Sequence, residues 1–181
     1  MDSIFSATDI SLRDGRAVHL RAIHRSDEDE LLQAFERLDA EARYMRFMRV
    51  VREPDINRLR KVLASFPESG IGLVATVPAA DGIDIVGSAI AVIGNDPATC
   101  EFSITIAGDH GKAGLGQALL TALINAAKRR GLAEMVGFVL AVNRPMLRLA
   151  ARVGFTISPD PEDRSVVICR LKLGGPSPAF H

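Results

Sequence analysis

The amino-acid sequence predicts a mixed α+β domain, one sheet flanked by helices, and three observations carry that prediction. Strand-like runs over residues 71–77, 85–93 and 99–107 are separated only by short turn-forming breaks, which favours antiparallel pairing. After them, helical spacing over 115–130 and 145–153 alternates with strand-like runs over 134–142 and 164–173. Gly131 and Gly154 stand where those two helices should stop.

The elements follow in order. Leu12-Arg13-Asp14-Gly15-Arg16 supplies a turn with Asp-Gly as its hairpin signal, and residues 17–23 then alternate as a strand, with Val18, Leu20 and Ala22 on one side. Ser26 and Asp29 form a capping-box pattern that opens a helix with Leu31, Phe35 and Leu38 on one stripe. A second helix is expected over 41–50 and a third after Pro54, with Ile56, Leu59 and Leu63 in register. Phe66-Pro67-Glu68-Ser69-Gly70 ends this helical block. In the helix over 115–130, Leu119, Leu120, Leu123, Ile124 and Ala127 should point inward. Pro145 suits a first turn and opens the last helix, which carries Met146, Leu149, Ala150 and Val153 at helical spacing. Residues 12–173 are expected to form one domain, with 1–11 and 174–181 as flexible termini.

Composition narrows the function. The chain has 181 residues, 22 of them basic and 22 acidic, so it lacks the basic excess of a nucleic-acid binder. No apolar run reaches the ~20 residues needed to span a bilayer, and residues 1–9 do not have a signal-peptide layout, so no membrane partner is expected. Cys100 and Cys169 lie in apolar strand-like runs and read as buried, reduced thiols of a cytoplasmic protein. They show no metal-ligand spacing and the four histidines are scattered, so no metal site is expected.

The most informative segment is His110-Gly111-Lys112-Ala113-Gly114-Leu115-Gly116, between a strand and a long helix. Free N–H groups and the dipole at a helix N-terminus favour a phosphate, and glycines let the backbone approach it. Lys112 adds a point charge. The spacing is G-x-x-G-x-G, the reverse of the dinucleotide fingerprint, and a Walker-type loop would need a glycine at Ile106 and a hydroxyl residue at Ala113. A glycine-softened turn without any ligand is the plain alternative.

With its flanks, this loop resembles motif A of the GNAT acetyltransferases, [QR]-x-x-G-x-[GA]. Downstream, Val139-Leu140-Ala141-Val142-Asn143-Arg144-Pro145-Met146-Leu147-Arg148-Leu149-Ala150-Ala151-Arg152-Val153-Gly154-Phe155 resembles motif B: a strand, an Asn, a short helix and a closing Gly-Phe. Leu12-Arg13-Asp14-Gly15, Leu20-Arg21-Ala22-Ile23 and Ala42-Arg43-Tyr44-Met45-Arg46-Phe47 are similar to the GNAT module of bacterial Pat-type protein lysine acetyltransferases. The resemblance implies a mostly antiparallel twisted sheet with a splayed parallel strand pair, and acetyl-CoA as cosubstrate. It implies that Gly111, Lys112, Ala113, Gly114, Leu115 and Gly116 hold the cofactor pyrophosphate. It also implies that Ile104, Thr105 and Ile106 pair with the pantetheine arm, and that Asn143 sits near the cofactor at the splay. Two positions depart from the family pattern: Gly111 replaces the usual Gln or Arg, and Ala150 stands where a Tyr acid often does.

Transfer from a thioester to an amine needs positioning and a proton acceptor, since a lysine amine with a pKa near 10.4 is protonated at neutral pH. Strand alternation over Thr99-Cys100-Glu101-Phe102-Ser103-Ile104-Thr105-Ile106-Ala107 places Glu101, Ser103 and Thr105 on one polar face. Taken alone, a glutamate in a strand is more often a solvated edge residue. Pat-type modules place their base in a similar Glu-Phe context, which points to Glu101 as catalytic base, with His110 and Asp109 behind it. The acceptor implied is a primary amine, either a protein lysine or a small molecule, and the dimers common among relatives allow a homodimer. An acyl-CoA-binding sensor without efficient catalysis is the alternative, favoured by Gly111 and Ala150.

Overall fold

The computed structural model describes residues 5–49 and 51–175. Val50, expected as the end of the second helix, lies outside the described residues, as do residues 1–4 and 176–181 of the expected flexible termini. The elements run β1 (Thr8–Ser11), β2 (Ala17–Ala22), α1 (Glu28–Glu36), α2 (Ala40–Phe47), α3 (Ile56–Ser65), β3 (Gly70–Ala79), β4 (Gly82–Ile93), β5 (Thr99–Ile106), α4 (Leu115–Arg129), β6 (Glu134–Leu140), α5 (Arg144–Arg152), β7 (Thr156–Pro159) and β8 (Val166–Lys172). The strands build one sheet in the order β1-β2-β3-β4-β5-β6-β8-β7. β5 and β6 are parallel and every other neighbouring pair is antiparallel.

Register assigns each face of the sheet. Gly87 pairs with Ile106, Ala89 with Ile104 and Ala91 with Phe102, so these residues share a face. A Cβ on Gly87 would lie 2.9 Å from Leu119 and 3.2 Å from Leu115, which identifies that face as the bed of α4. All five residues expected to point inward from α4 are buried, and Leu119, Leu120 and Leu123 are fully so. α5 lies beside it, with Leu149 3.1 Å from the position a Cβ would take on Gly116. The alternate positions, Ser88 opposite Thr105 and Ile90 opposite Ser103, face the other way, toward α1, α2 and α3.

Three local features differ from the sequence reading. A 3-10 turn, Arg25–Asp27, precedes α1, and the reciprocal cap is made by Asp27, which accepts from the His24 N–H at 2.8 Å. Arg21 explains the shift from the expected Ser26 and Asp29: its guanidinium meets both Asp27 carboxylate oxygens at 2.8 Å and draws that side chain inside. The sheet begins at β1, four residues ahead of the expected domain boundary, through pairing of Thr8–Ser11 with β2. Sequence periodicity does not mark β7, four exposed residues whose order comes from pairing with β8.

Candidate active site

The sheet opens at its centre. β5 and β6 pair only at Thr99–Glu134, Cys100–Met135 and Glu101–Val136, although both strands continue well beyond. On its other side β5 stays paired with β4 as far as Ile106. Residues 102–106 therefore present peptide N–H and C=O groups on an open edge inside the fold, a row that an extended amide-bearing ligand can satisfy as an added strand would. Phe102 fills the base of the gap. Its ring covers Gly137 of β6, where a Cβ would come within 2.2 Å of a ring carbon, and it packs at 5.0 Å on Phe155.

The glycine loop closes one end of this opening. A 3-10 turn, Gly108–Ala113, leaves β5 and runs into α4, with Gly114 as the N-cap at φ 94. That left-handed conformation suits glycine alone, and it frees the first-turn N–H groups of a 15-residue helix. The side chains of Ala113 and Leu115 are buried, so each can serve a ligand only through its backbone. The Leu12–Arg16 turn braces the loop: the Arg13 N–H donates to the Ala113 carbonyl at 3.0 Å, and Arg16 Nη1 lies 3.3 Å from His110 Nε2. Gly111 has no positive φ, and a Cβ there would make an ordinary 3.5 Å contact with Ile106.

Across the sheet, Glu101, Ser103 and Thr105 share the face turned toward α1–α3, and α2 places Arg46 over them. Arg46 Nε donates to Thr105 Oγ1 and Nη2 to Ser103 Oγ, each at 3.0 Å. Asp39 fixes α2 by capping Ala42, and Arg43 ties it to α1 by donating to the carbonyls of Phe35 and Glu36. Burial, then the nearby Arg58, lowers the Arg46 pKa to about 10, while Glu101 opposes the shift. Arg46 and Thr105 line a cavity of about 190 Å³ between the helices and the sheet. A larger groove of about 890 Å³ runs outside α4 and β1, and among the described residues no Asp, Glu or His lines it.

A family model for the acetyltransferase (GNAT) domain matches residues 17–156. The chain belongs to the GNAT acetyltransferases. It is 31% identical over 163 residues to Acetyltransferase PA5475 of Pseudomonas aeruginosa, an alignment covering 90% of this chain and 88% of that one. Its fold superposes on the GNAT domain of S. lividans PAT with a TM-score of 0.82 at 20% identity, covering 92% of this chain and 96% of the other. YncA from Salmonella typhimurium, solved with its cofactor acetyl-CoA, gives 0.69 at 22% identity, with 91% and 100% covered.

GNAT membership makes this an N-acetyltransferase, and it gives the remaining expected residues a context. Ile104 and Ile106 lie on the open edge of β5 with their side chains on the α4 face, whereas the Thr105 hydroxyl is taken by Arg46. Asn143 is the N-cap of α5, its side-chain oxygen accepting from the Met146 N–H at 3.4 Å. Lys112 is exposed beside the loop. Ala150 is fully buried, so the position that often carries a phenol holds a methyl group in the core. His110 does not line the cavity, and the Asp109 side chain lies outside the described residues. Among the described residues no three His, Cys, Asp or Glu side chains gather into a metal site. No described helix is long and apolar enough to cross a membrane. Sequence reasoning gave Arg46 no role, because its meeting with Ser103 and Thr105 depends on how α2 packs over β5.

Proposed function

We propose that the chain transfers acetyl from acetyl-CoA directly to a primary amine, a protein lysine or a small molecule, with Glu101 as the base. The observation that carries this reading is the opened edge of β5, which begins one residue after Glu101 and ends at the glycine N-terminus of α4. Its residues fit the cofactor. The edge over 102–106, including Ile104, Thr105 and Ile106, suits the amides of the pantetheine arm. The backbone N–H groups from Gly111 to Gly116, with Lys112 beside them, suit the pyrophosphate. Asn143, the N-cap of α5, would stand near the cofactor where β5 and β6 part.

When bound, acetyl-CoA supplies an activated acyl group held on sulfur. The chain's part is then to bring the acceptor nitrogen to it, exclude competing water and remove a proton. Glu101 takes that proton, directly or through one water. The positive field of Arg46 disfavours a protonated amine beside it. Ala150 has no group that could act as an acid toward the departing thiolate. A second reading, an acyl-CoA sensor, draws on Gly111 and Ala150.

Titration calorimetry tests the cofactor part: acetyl-CoA should bind with roughly micromolar affinity, about −8 kcal/mol. No heat and no thermal shift at millimolar acetyl-CoA would refute it. Release of free CoA thiol with any amine removes the sensor reading, and binding without turnover of any amine favours it.

A further inference from the structure

The cavity between the sheet and α1–α3 holds more positive charge than a plain amine acceptor requires. Its walls are apolar, with Leu31, Phe35, Leu59 and Val62 among them, yet Arg46, Arg49 and Arg58 line it against a single carboxylate, Asp55. Asp55 is already engaged at the start of α3, where it accepts from the Arg58 N–H at 3.0 Å. Arg46 spends two of a guanidinium's five donors on the neutral hydroxyls of Ser103 and Thr105. Among the described residues no carboxylate lies within ion-pair distance of Arg46 or Arg58. Arg46, drawn under the surface without an anion, is poorly compensated, and its spare donors match the two oxygens of a carboxylate, while Arg49 and Arg58 are exposed and add their charge from the solvent side.

Size and field narrow the ligand further. About 190 Å³ is below the ~300–1,000 Å³ of drug-sized pockets, so the cavity suits a small molecule. Two guanidinium charges repel the ammonium end of a lysine side chain, and they lower the pKa of an amine brought among them. Along β5, Glu101 stands two residues from Ser103, roughly 7 Å at ~3.3 Å per residue. The Glu101 side chain and an amino group next to a docked carboxylate can span that distance. Resting on the transferase reading above, we propose that the acceptor is a small apolar amino acid. Its carboxylate docks between Arg46 and Arg58, its side chain fills the leucine-lined part of the cavity, and its amine turns toward Glu101.

The test compares matched amines with and without the carboxylate. CoA-thiol release is measured with L-leucine and L-methionine, with their decarboxylated counterparts 3-methylbutylamine and 3-(methylthio)propylamine, and with an end-blocked lysine peptide. The amino acids should exceed the bare amines by about 100-fold or more in kcat/KM, as expected when a carboxylate loses a desolvated guanidinium partner. Arg46→Gln should collapse that ratio. Because Arg46 also ties α2 to β5, Arg58→Gln and Arg58→Glu carry the test if Arg46→Gln fails to fold. Arg58→Gln should cut the ratio about tenfold, and Arg58→Glu should turn the preference toward the bare amines. Equal or better turnover of the bare amines or of the lysine peptide by the wild type overturns the proposal. So does a ratio unmoved in Arg58→Glu. Acetyl-CoA titration on the same samples keeps the two readings apart. Lysine-peptide acetylation without amino-acid turnover overturns only the carboxylate site. If acetyl-CoA binds and no amine reacts, the transferase reading fails; a thermal shift of the CoA complex by leucine but not 3-methylbutylamine would then still support an anion site.

Discussion

Gly114 offers the sharpest contrast with a neighbour in the same loop. At φ 94 an alanine there adopts a left-handed conformation costing about 1–2 kcal/mol, and its Cβ would sit 3.1 Å from Arg13 Nε, forcing the guanidinium aside. A domain of this size loses about 2–4 °C in Tm per kcal/mol, so Gly114→Ala should lower Tm by about 2–8 °C. Relieving the strain rotates the first-turn N–H groups of α4, and affinity for acetyl-CoA should fall at least about tenfold, or about 1.4 kcal/mol. Gly114→Asp, which adds a negative charge at the same point, should abolish binding. Gly111→Ala is the control: no positive φ and an ordinary 3.5 Å contact with Ile106 predict a stability within about 0.5 kcal/mol of wild type and unchanged affinity. Gly111→Arg, which restores the usual family residue, should bind acetyl-CoA more tightly. Thermal unfolding and titration calorimetry on the same preparations read both quantities. A folded Gly114→Ala that binds as well as Gly111→Ala would refute the assignment of the pyrophosphate to this loop.

Three further expectations follow from the same geometry. Burial pushes the Asp27 carboxyl up, but the hydrogen bonds from Arg21 and the His24 N–H outweigh it and hold its pKa below the ordinary value. A depressed carboxylate stabilises the fold above its unfolded pKa and loses that contribution as pH falls through the folded value. Asp27→Asn should therefore cost about 3 kcal/mol at neutral pH, with the difference from wild type shrinking below about pH 4 in urea titrations. Burial pushes the thiols of Cys100 and Cys169 up to about 11, so neither is a nucleophile at neutral pH. A folded Cys100→Ala, Cys169→Ala double variant should keep its turnover, and a trapped acetyl-cysteine on the wild type would contradict direct transfer. Gly137→Val must displace the Phe102 ring at the base of the opening and should destabilise by about 1–3 kcal/mol, with a loss of acetyl-CoA affinity that the Cys variant does not show.

Most of this architecture is legible from residue order alone, because the signals are local. Alternation marks β3 to β6, the leucines of α4 fall at helical spacing, and Gly131 and Gly154 stop their helices. What escapes is fixed by partners distant in sequence. β1 and β7 are four residues each and owe their order to β2 and β8. Asp27 becomes the cap because Arg21 reaches it. The opening of the sheet cannot be read from the periodicity of β5, whose alternation continues unbroken past Glu101; it came from the family resemblance. Arg46 and Arg58 sit on exposed-looking polar helices, and only the packing of α2 and α3 over β5 brings their charges to one cavity.

The central claim is direct acetyl transfer with Glu101 as base, and Glu101→Gln tests it. Glutamine keeps the shape and hydrogen bonding of the side chain and removes its basicity. With an acceptor that the wild type turns over, kcat should fall by ~10²–10⁴ while acetyl-CoA affinity stays near wild type. Raising the pH should recover part of the loss, since more of the acceptor amine is then neutral without help. A Glu101→Gln enzyme that matches the wild-type rate from about pH 6 to 9, a range in which an amine of pKa ~10.4 is mostly protonated, would contradict the account.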